Sequence, residues 1–140
     1  MINNYYNEIK NELINNEVYK RVKDYSKNRN ELSTYYNVGK LLIEAQGDED
    51  RAKYGNGLIK KYSSKLSQEI GKKYNITTLK RMRQFYLIIE KGATMWHQLS
   101  WSHYVELLSL NDIDEINYYI SVTEKNSLSV RELREKIKSN

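Results

Sequence analysis

Eleven lysines and arginines fall between residues 51 and 91, against two glutamates, Glu69 and Glu90. The whole 140-residue chain carries a net charge of only +5, so the sequence on either side is acidic in balance. Concentrated positive charge is the electrostatic footprint of a polyanionic partner, and phosphate is the group it suits. An A/T-rich genome would raise lysine everywhere, but would not gather it into one third of the chain. Lys80, Arg81 and Gln84 lie off the apolar stripe that Leu79, Met82, Tyr86 and Ile89 make at helical spacing. Thr77 and Thr78 stand at the start of that helix, and either hydroxyl can cap it. Arginine and glutamine suit guanine and adenine edges. Thr77, Thr78, Lys80, Arg81 and Gln84 are therefore the candidate groove-facing residues. Lys60, Lys61, Lys65, Lys72 and Lys73 are candidate phosphate contacts, which set affinity and not sequence. Arg83, four residues after Leu79, borders the stripe; it faces the nucleic acid or pairs with a carboxylate such as Glu106.

Other chemistry is thinly represented. His97 and His103 are six apart, wrong for two ligands on one helical face, and there is no cysteine. No metal or other cofactor is expected. Gly47-Asp48-Glu49-Asp50 has three acids in a row without the spacing of a cation loop, and reads as solvated. Gly55-Asn56-Gly57 is a helix entry and not a phosphate cradle. Glu8-Ile9-Lys10 has the form of half a metal-dependent nuclease signature, but on a polar helix without the preceding Asp it carries no such chemistry. His103 has no nucleophile or orienting carboxylate near it in sequence, and suits a packed position in the first turn of a helix. Catalysis is not expected from this chain.

The elements that must hold the basic residues are all helical. Residues 2–27 and 31–46 read as two amphipathic helices, a hairpin, with Asn30 as a possible cap between them. The first buries Ile9, Leu13, Val18, Val22 and Tyr25, the second Leu32, Tyr35, Tyr36, Leu42 and Ile43. Gly39, inside the second, costs about 1 kcal/mol relative to alanine, and marks a close helix–helix crossing. Residues 57–70 form a third helix, with Gly71 placed to leave it at positive φ. The fourth begins near Thr77. Residues 91–98 connect to the C-terminal helices, with Trp96 and His97 as a hydrophobic anchor or an exposed contact. Ser100 opens a fifth helix, with Leu99 and Tyr104 as its staple. Asp112 with Glu115, and Ser129 with Glu132, form capping boxes for two more. The expectation is one all-α domain of about seven helices: hairpin 1–46, basic helix-turn-helix-like unit 51–91 and C-terminal helices 99–138.

Composition agrees. The chain has no proline to break helices and no cysteine, which excludes disulfides and fits a reducing compartment, the cytoplasm. No apolar run approaches the roughly 20 residues of a membrane span, and the polar start MINNYYNEIKNE is not a secretory signal.

Four segments carry a family resemblance: YYNVGKLLIE (35–44), RAKYGNGLIKKYSSKLSQEIGKKYNITTLKRMRQFY (51–86), LSWSHYVELLSL (99–110) and LSVRELREKIKS (128–139). Together they resemble, in order, the N-terminal domain of the YhcG-type PD-(D/E)XK nuclease family. That resemblance implies a helix-turn-helix-type DNA-binding domain, followed in the family by a nuclease domain with the Asp and Glu-x-Lys metal site. It implies the targeting part of a nuclease without its catalytic part, and places Lys80, Arg81, Arg83 and Gln84 in the DNA-binding helix. The turn KKYNITT departs from the Gly-Phe-Ser type common in relatives.

Two functions follow as expectations. One is nucleic-acid binding, with duplex DNA favoured. The other is a protein-interaction or assembly module, a homodimer or a partner of a nuclease domain or another protein. Thirteen tyrosines and two tryptophans support the second, since aromatics are enriched at interfaces.

Overall fold

The computed structural model describes residues 4–21, 27–47 and 55–139, and these form seven helices without a strand. They are α1 (Tyr5–Arg21), α2 (Lys27–Gln46), α3 (Gly55–Glu69), α4 (Ile76–Glu90), α5 (Trp101–Leu107), α6 (Ile113–Asn126) and α7 (Val130–Lys138). The all-α expectation holds. Val22, Tyr25, Arg51, Lys53 and the acids Asp48 to Asp50 lie outside the described residues.

α1 and α2 form an antiparallel hairpin. Asn30 Nδ2 donates to Asn16 Oδ1 at 2.7 Å near the connection, while Asn37 Nδ2 reaches Glu12 Oε1 at 3.4 Å further along. Asn30 therefore lies inside α2, not at its cap. α1 buries Tyr6, Ile9, Leu13 and Asn16, and Val18, read from sequence as inward, is 55% exposed. Val18 lies roughly 140° around the helix from Leu13, so the core strip passes it by.

α2 sits between α1 and α4 and packs along both. The approach to α4 is closest at Gly39, where an added Cβ would overlap the Met82 carbonyl oxygen. Glycine is required there by proximity, as its place in the sequence suggested. Gly71 differs: its φ is not positive and nothing lies within 4 Å of a built Cβ. Positive-φ glycines follow α2 at Gly47 (φ 77) and α4 at Gly92 (φ +117). Gly92 N–H donates to Ile89 O and Ala93 N–H to Ile88 O, the paired bonds of a Schellman cap.

α4 turns four residues into the core: Leu79, Met82, Phe85 and Ile88. Tyr86 and Ile89, read as part of the stripe, are half-buried beside it. Phe85 meets Trp101 and Tyr104 edge-on, with centroids 5.2 and 5.0 Å away, and Tyr35 meets Trp101 at 4.7 Å. One aromatic cluster thus joins α2, α4 and α5. Tyr104 also organises the connector 91–100. Its hydroxyl donates to Thr94 O at 2.7 Å and accepts the Trp96 N–H at 2.6 Å, so a fully buried phenol keeps its polar end satisfied.

The C-terminal helices start where their caps predict. Ser100 and His103 form a capping box at α5. Ser129 and Glu132 form another at α7, and those bonds from Ser129 hold the Glu132 carboxyl below its ordinary value. Asp112 caps α6 by accepting the Asp114 N–H, without the Glu115 return bond that a box requires. Arg134 Nη2 meets Glu106 Oε2 at 2.9 Å, tying α7 to α5.

Candidate nucleic-acid interface

The basic residues sit on α3, α4 and the six residues that join them, Ile70 to Asn75. α3 buries Ile59, Tyr62, Ser63 and Leu66, an i, i+3, i+4, i+7 strip. Lys60, Lys61 and Lys65 are consequently forced outward, and all three are exposed. α4 is capped by Asn75, whose side chain accepts the Thr78 N–H at 3.0 Å. Neither threonine is the cap. Thr77 is exposed and Thr78 half-buried. The sequence pointed to a hydroxyl and missed the asparagine two positions ahead of it.

The four α4 candidates fall into two groups. Lys80 and Arg81 are exposed and take part in no ion pair among the described residues. They stand roughly 100° apart around the helix, Lys80 on the outward face and Arg81 at the edge of the buried one. Arg83 and Gln84 are engaged. Arg83 Nε donates to Gln46 Oε1 at 2.6 Å. Glu106, the carboxylate suggested by sequence as its partner, is held by Arg134 instead. Gln84 Nε2 donates to Leu108 O at 2.7 Å, which pins α4 to the end of α5.

The lysines of α3 and the connection divide similarly. Lys60, Lys61 and Lys72 are exposed and unpaired among the described residues. Lys65 lies over the Tyr6 ring, its Nζ 4.3 Å from the centroid. Lys73 is ion-paired with Glu17 of α1. That pairing spans 56 residues of sequence, and no local spacing could have announced it.

α1 reaches this surface through two carboxylate hubs. Glu69 accepts the Tyr6 hydroxyl and pairs with Lys10 at 3.0 Å. The Tyr6 bond first, then Lys10, holds its carboxyl below the ordinary range. Glu17 accepts the Tyr74 hydroxyl and pairs with Lys73. Burial, then these carboxylates, push both tyrosines well above the ordinary phenol value. Glu8-Ile9-Lys10 is part of this scaffold: Ile9 is buried and Lys10 belongs to Glu69. Beside the Glu17 hub runs an open groove of about 580 Å³ lined by Ile14, Val18, Ile70, Glu17, Lys72 and Lys73 among others.

The tyrosines mostly build the core. Tyr6, Tyr35, Tyr62, Tyr74, Tyr104 and Tyr119 are buried, and among the described residues Tyr118 is an exposed tyrosine. The hydroxyls of Tyr6, Tyr35, Tyr74 and Tyr104 end on carboxylates or a carbonyl at the core's edge, as does that of half-buried Tyr36 on Glu90 at 2.5 Å.

His103 serves a structural role at the start of α5. His103 Nδ1 accepts the Ser100 N–H at 3.1 Å, and Nε2 lies 2.8 Å from Leu128 O, so Nε2 carries the proton and both ring nitrogens hold structure. No cluster of three or more His, Cys, Asp or Glu side chains among the described residues could bind a metal ion. No described helix is long and apolar enough to cross a membrane.

Fold and surface together define an all-α domain that presents a basic face built on two consecutive helices. A family model described as the DUF1016 N-terminal domain matches residues 8–140, and the chain belongs to that family. It is also 29% identical over 138 residues to an Escherichia coli (strain K12) protein named "Putative nuclease YhcG", an alignment covering 75% of this chain. The same alignment covers 37% of the E. coli protein, so the chain spans little more than a third of that relative. No solved structure matches significantly.

Proposed function

We propose that this chain is a non-catalytic nucleic-acid-binding module, with duplex DNA as its polyanion, and that it addresses a nuclease activity supplied elsewhere. The observation that carries the reading is the set of five exposed cations on α3, the connection and α4: Lys60, Lys61, Lys72, Lys80 and Arg81. None has an ion-pair partner among the described residues. Unpaired surface ammonium and guanidinium groups gain most from phosphate, because each contact releases condensed counterions. Family membership and the name of the Escherichia coli relative, "Putative nuclease YhcG", support it. In this reading α3 and α4 act as a helix-turn-helix-like pair, with Lys80 and Thr77 on the outward face of α4 and the α3 lysines on the backbone. The cysteine-free composition suits a cytoplasmic setting.

The test is a salt titration of binding to a short labelled duplex. Five phosphate contacts give a log–log slope of roughly −4 to −5. A slope near zero, or no binding at about 50 mM salt, defeats the proposal.

A second reading, a protein-interaction or assembly module, is favoured by one observation. Ile14 and Val18, adjacent on α1, are 37% and 55% exposed along the groove beside Glu17. Light scattering tests it: a homodimer that dissociates on Val18→Glu supports assembly through this face, and a monomer at all concentrations refutes it.

A further inference from the structure

We infer that α1 is a built-in electrostatic competitor of the basic surface, and that Glu17 holds Lys73 away from an incoming phosphate. The inference rests on the nucleic-acid reading above and concerns how that surface is regulated.

Three contacts carry it. Lys73 is ion-paired with Glu17 across the α1–connection boundary. Tyr74, the next residue, is 1% exposed and gives its hydroxyl to the same carboxylate. Glu17 is therefore fixed from below by a buried donor, and stays in place whether or not Lys73 leaves it. A phosphate that took Lys73 would find a carboxylate remaining beside it, since the buried phenol has no water to turn to. The adjacent Lys72 is exposed and has no ion-pair partner among the described residues, so of two neighbouring lysines one is open and the other is held by Glu17.

At the other end of α1 the contact differs, because the carboxylate there, Glu69, belongs to α3 and pairs with Lys10 of α1. Lys65 lies over the Tyr6 ring, whose hydroxyl is bonded to Glu69. α1 thus takes up side chains from both α3 and the connection, while Lys60, Lys61, Lys80 and Arg81 have no ion-pair partner among the described residues. Displacing α1, or neutralising Glu17, would add Lys73 to the phosphate-binding set.

The experiment is duplex binding across a salt series by the full chain, with Glu17→Gln, Lys73→Gln and the double variant. Glutamine keeps an oxygen to accept the Tyr74 hydroxyl and removes only the charge. One added phosphate contact multiplies affinity about fivefold at 0.15 M salt and steepens the log–log slope by about 0.9. Glu17→Gln should show both changes. Lys73→Gln alone should be near neutral, and should cancel the gain when combined with Glu17→Gln. Unchanged affinity and slope in Glu17→Gln overturn the inference, as does a gain that survives Lys73→Gln. If Glu17→Gln melts below the wild type, the single Lys73→Gln decides: a fivefold loss shows Lys73 already free. Wild-type protein that binds no duplex at low salt overturns the nucleic-acid reading and this inference with it, whereas wild-type binding with an unchanged Glu17→Gln overturns the inference alone.

Discussion

Gly39 of α2 and Met82 of α4 approach so closely that a methyl group on Gly39 would overlap the Met82 carbonyl oxygen and stand 2.7 Å from Tyr86 Cβ. The obstacle is backbone, which cannot rotate away as a side chain can. Gly39→Ala therefore has to push α2 off α4, along which it packs. Overpacking of this kind costs about 1–3 kcal/mol or more, and the better helix propensity of alanine returns about 1. The expected result is a net loss of about 2 kcal/mol and a fall in Tm of roughly 4–8 °C, read by thermal unfolding. Gly57→Ala in α3 has nothing within 4 Å and no positive φ, so it should be neutral or slightly stabilising. Equal effects at the two positions would contradict the crossing.

Phe85 holds the aromatic cluster together, fully buried against Trp101 and Tyr104. Phe85→Ala should cost about 3–5 kcal/mol, measured by urea unfolding. A loss under about 1 kcal/mol would show that the cluster contributes little.

Phe85 also marks how far the sequence could be read. Helical spacing found the α4 core face from Leu79 and Met82, then followed Tyr86 and Ile89 where the chain buries Phe85 and Ile88. Both continuations lie at i+3 or i+4, and only the positions of α2 and α5 choose between them. Caps were legible where they are local, as at Ser100 and Ser129, whose partners lie three residues on. Gly39 was legible because a helix-interior glycine needs a reason. The engagement of Gln84 with Leu108 and of Lys73 with Glu17 was not legible, because each partner comes from a distant part of the chain. Of the candidate residues, Lys60, Lys61, Lys72, Lys80 and Arg81 are exposed without an ion-pair partner among the described residues, whereas Lys73, Arg83 and Gln84 are engaged with other parts of the chain.

Alkaline pH should unfold the domain from within. Tyr104 is pushed up to about 12 by burial, and Tyr36 to about 12 by its bond to Glu90 and then by burial. Burial also raises Tyr35, Tyr62 and Tyr74. In the unfolded chain these phenols ionise near 10. A value raised on folding means stability is complete below about pH 10 and is lost as pH rises through 12. Tyrosinate absorbance of the folded protein should lag that of the urea-unfolded chain between those limits, then rise together with loss of helical circular dichroism. Coincident titration curves would show that the phenols are not held as described.

Gln84 and Arg81 should separate stability from binding. Gln84 spends its amide on the Leu108 carbonyl, so Gln84→Ala removes a hydrogen bond worth about 1 kcal/mol and should lower Tm by roughly 2–4 °C. Its effect on duplex affinity should be under about twofold, since one neutral amide already engaged elsewhere leaves the phosphate count unchanged. Arg81 is exposed and unpaired among the described residues. Arg81→Ala should leave Tm within about 1 °C, because surface changes away from packing and caps stay within about 0.5 kcal/mol. It should also lower affinity about fivefold at 0.15 M salt and flatten the salt slope by about 0.9. Paired melting and binding curves decide the matter. A Gln84→Ala protein with native Tm and lost binding would move Gln84 to the proposed DNA-binding surface, and an Arg81→Ala protein with wild-type binding would remove Arg81 from it.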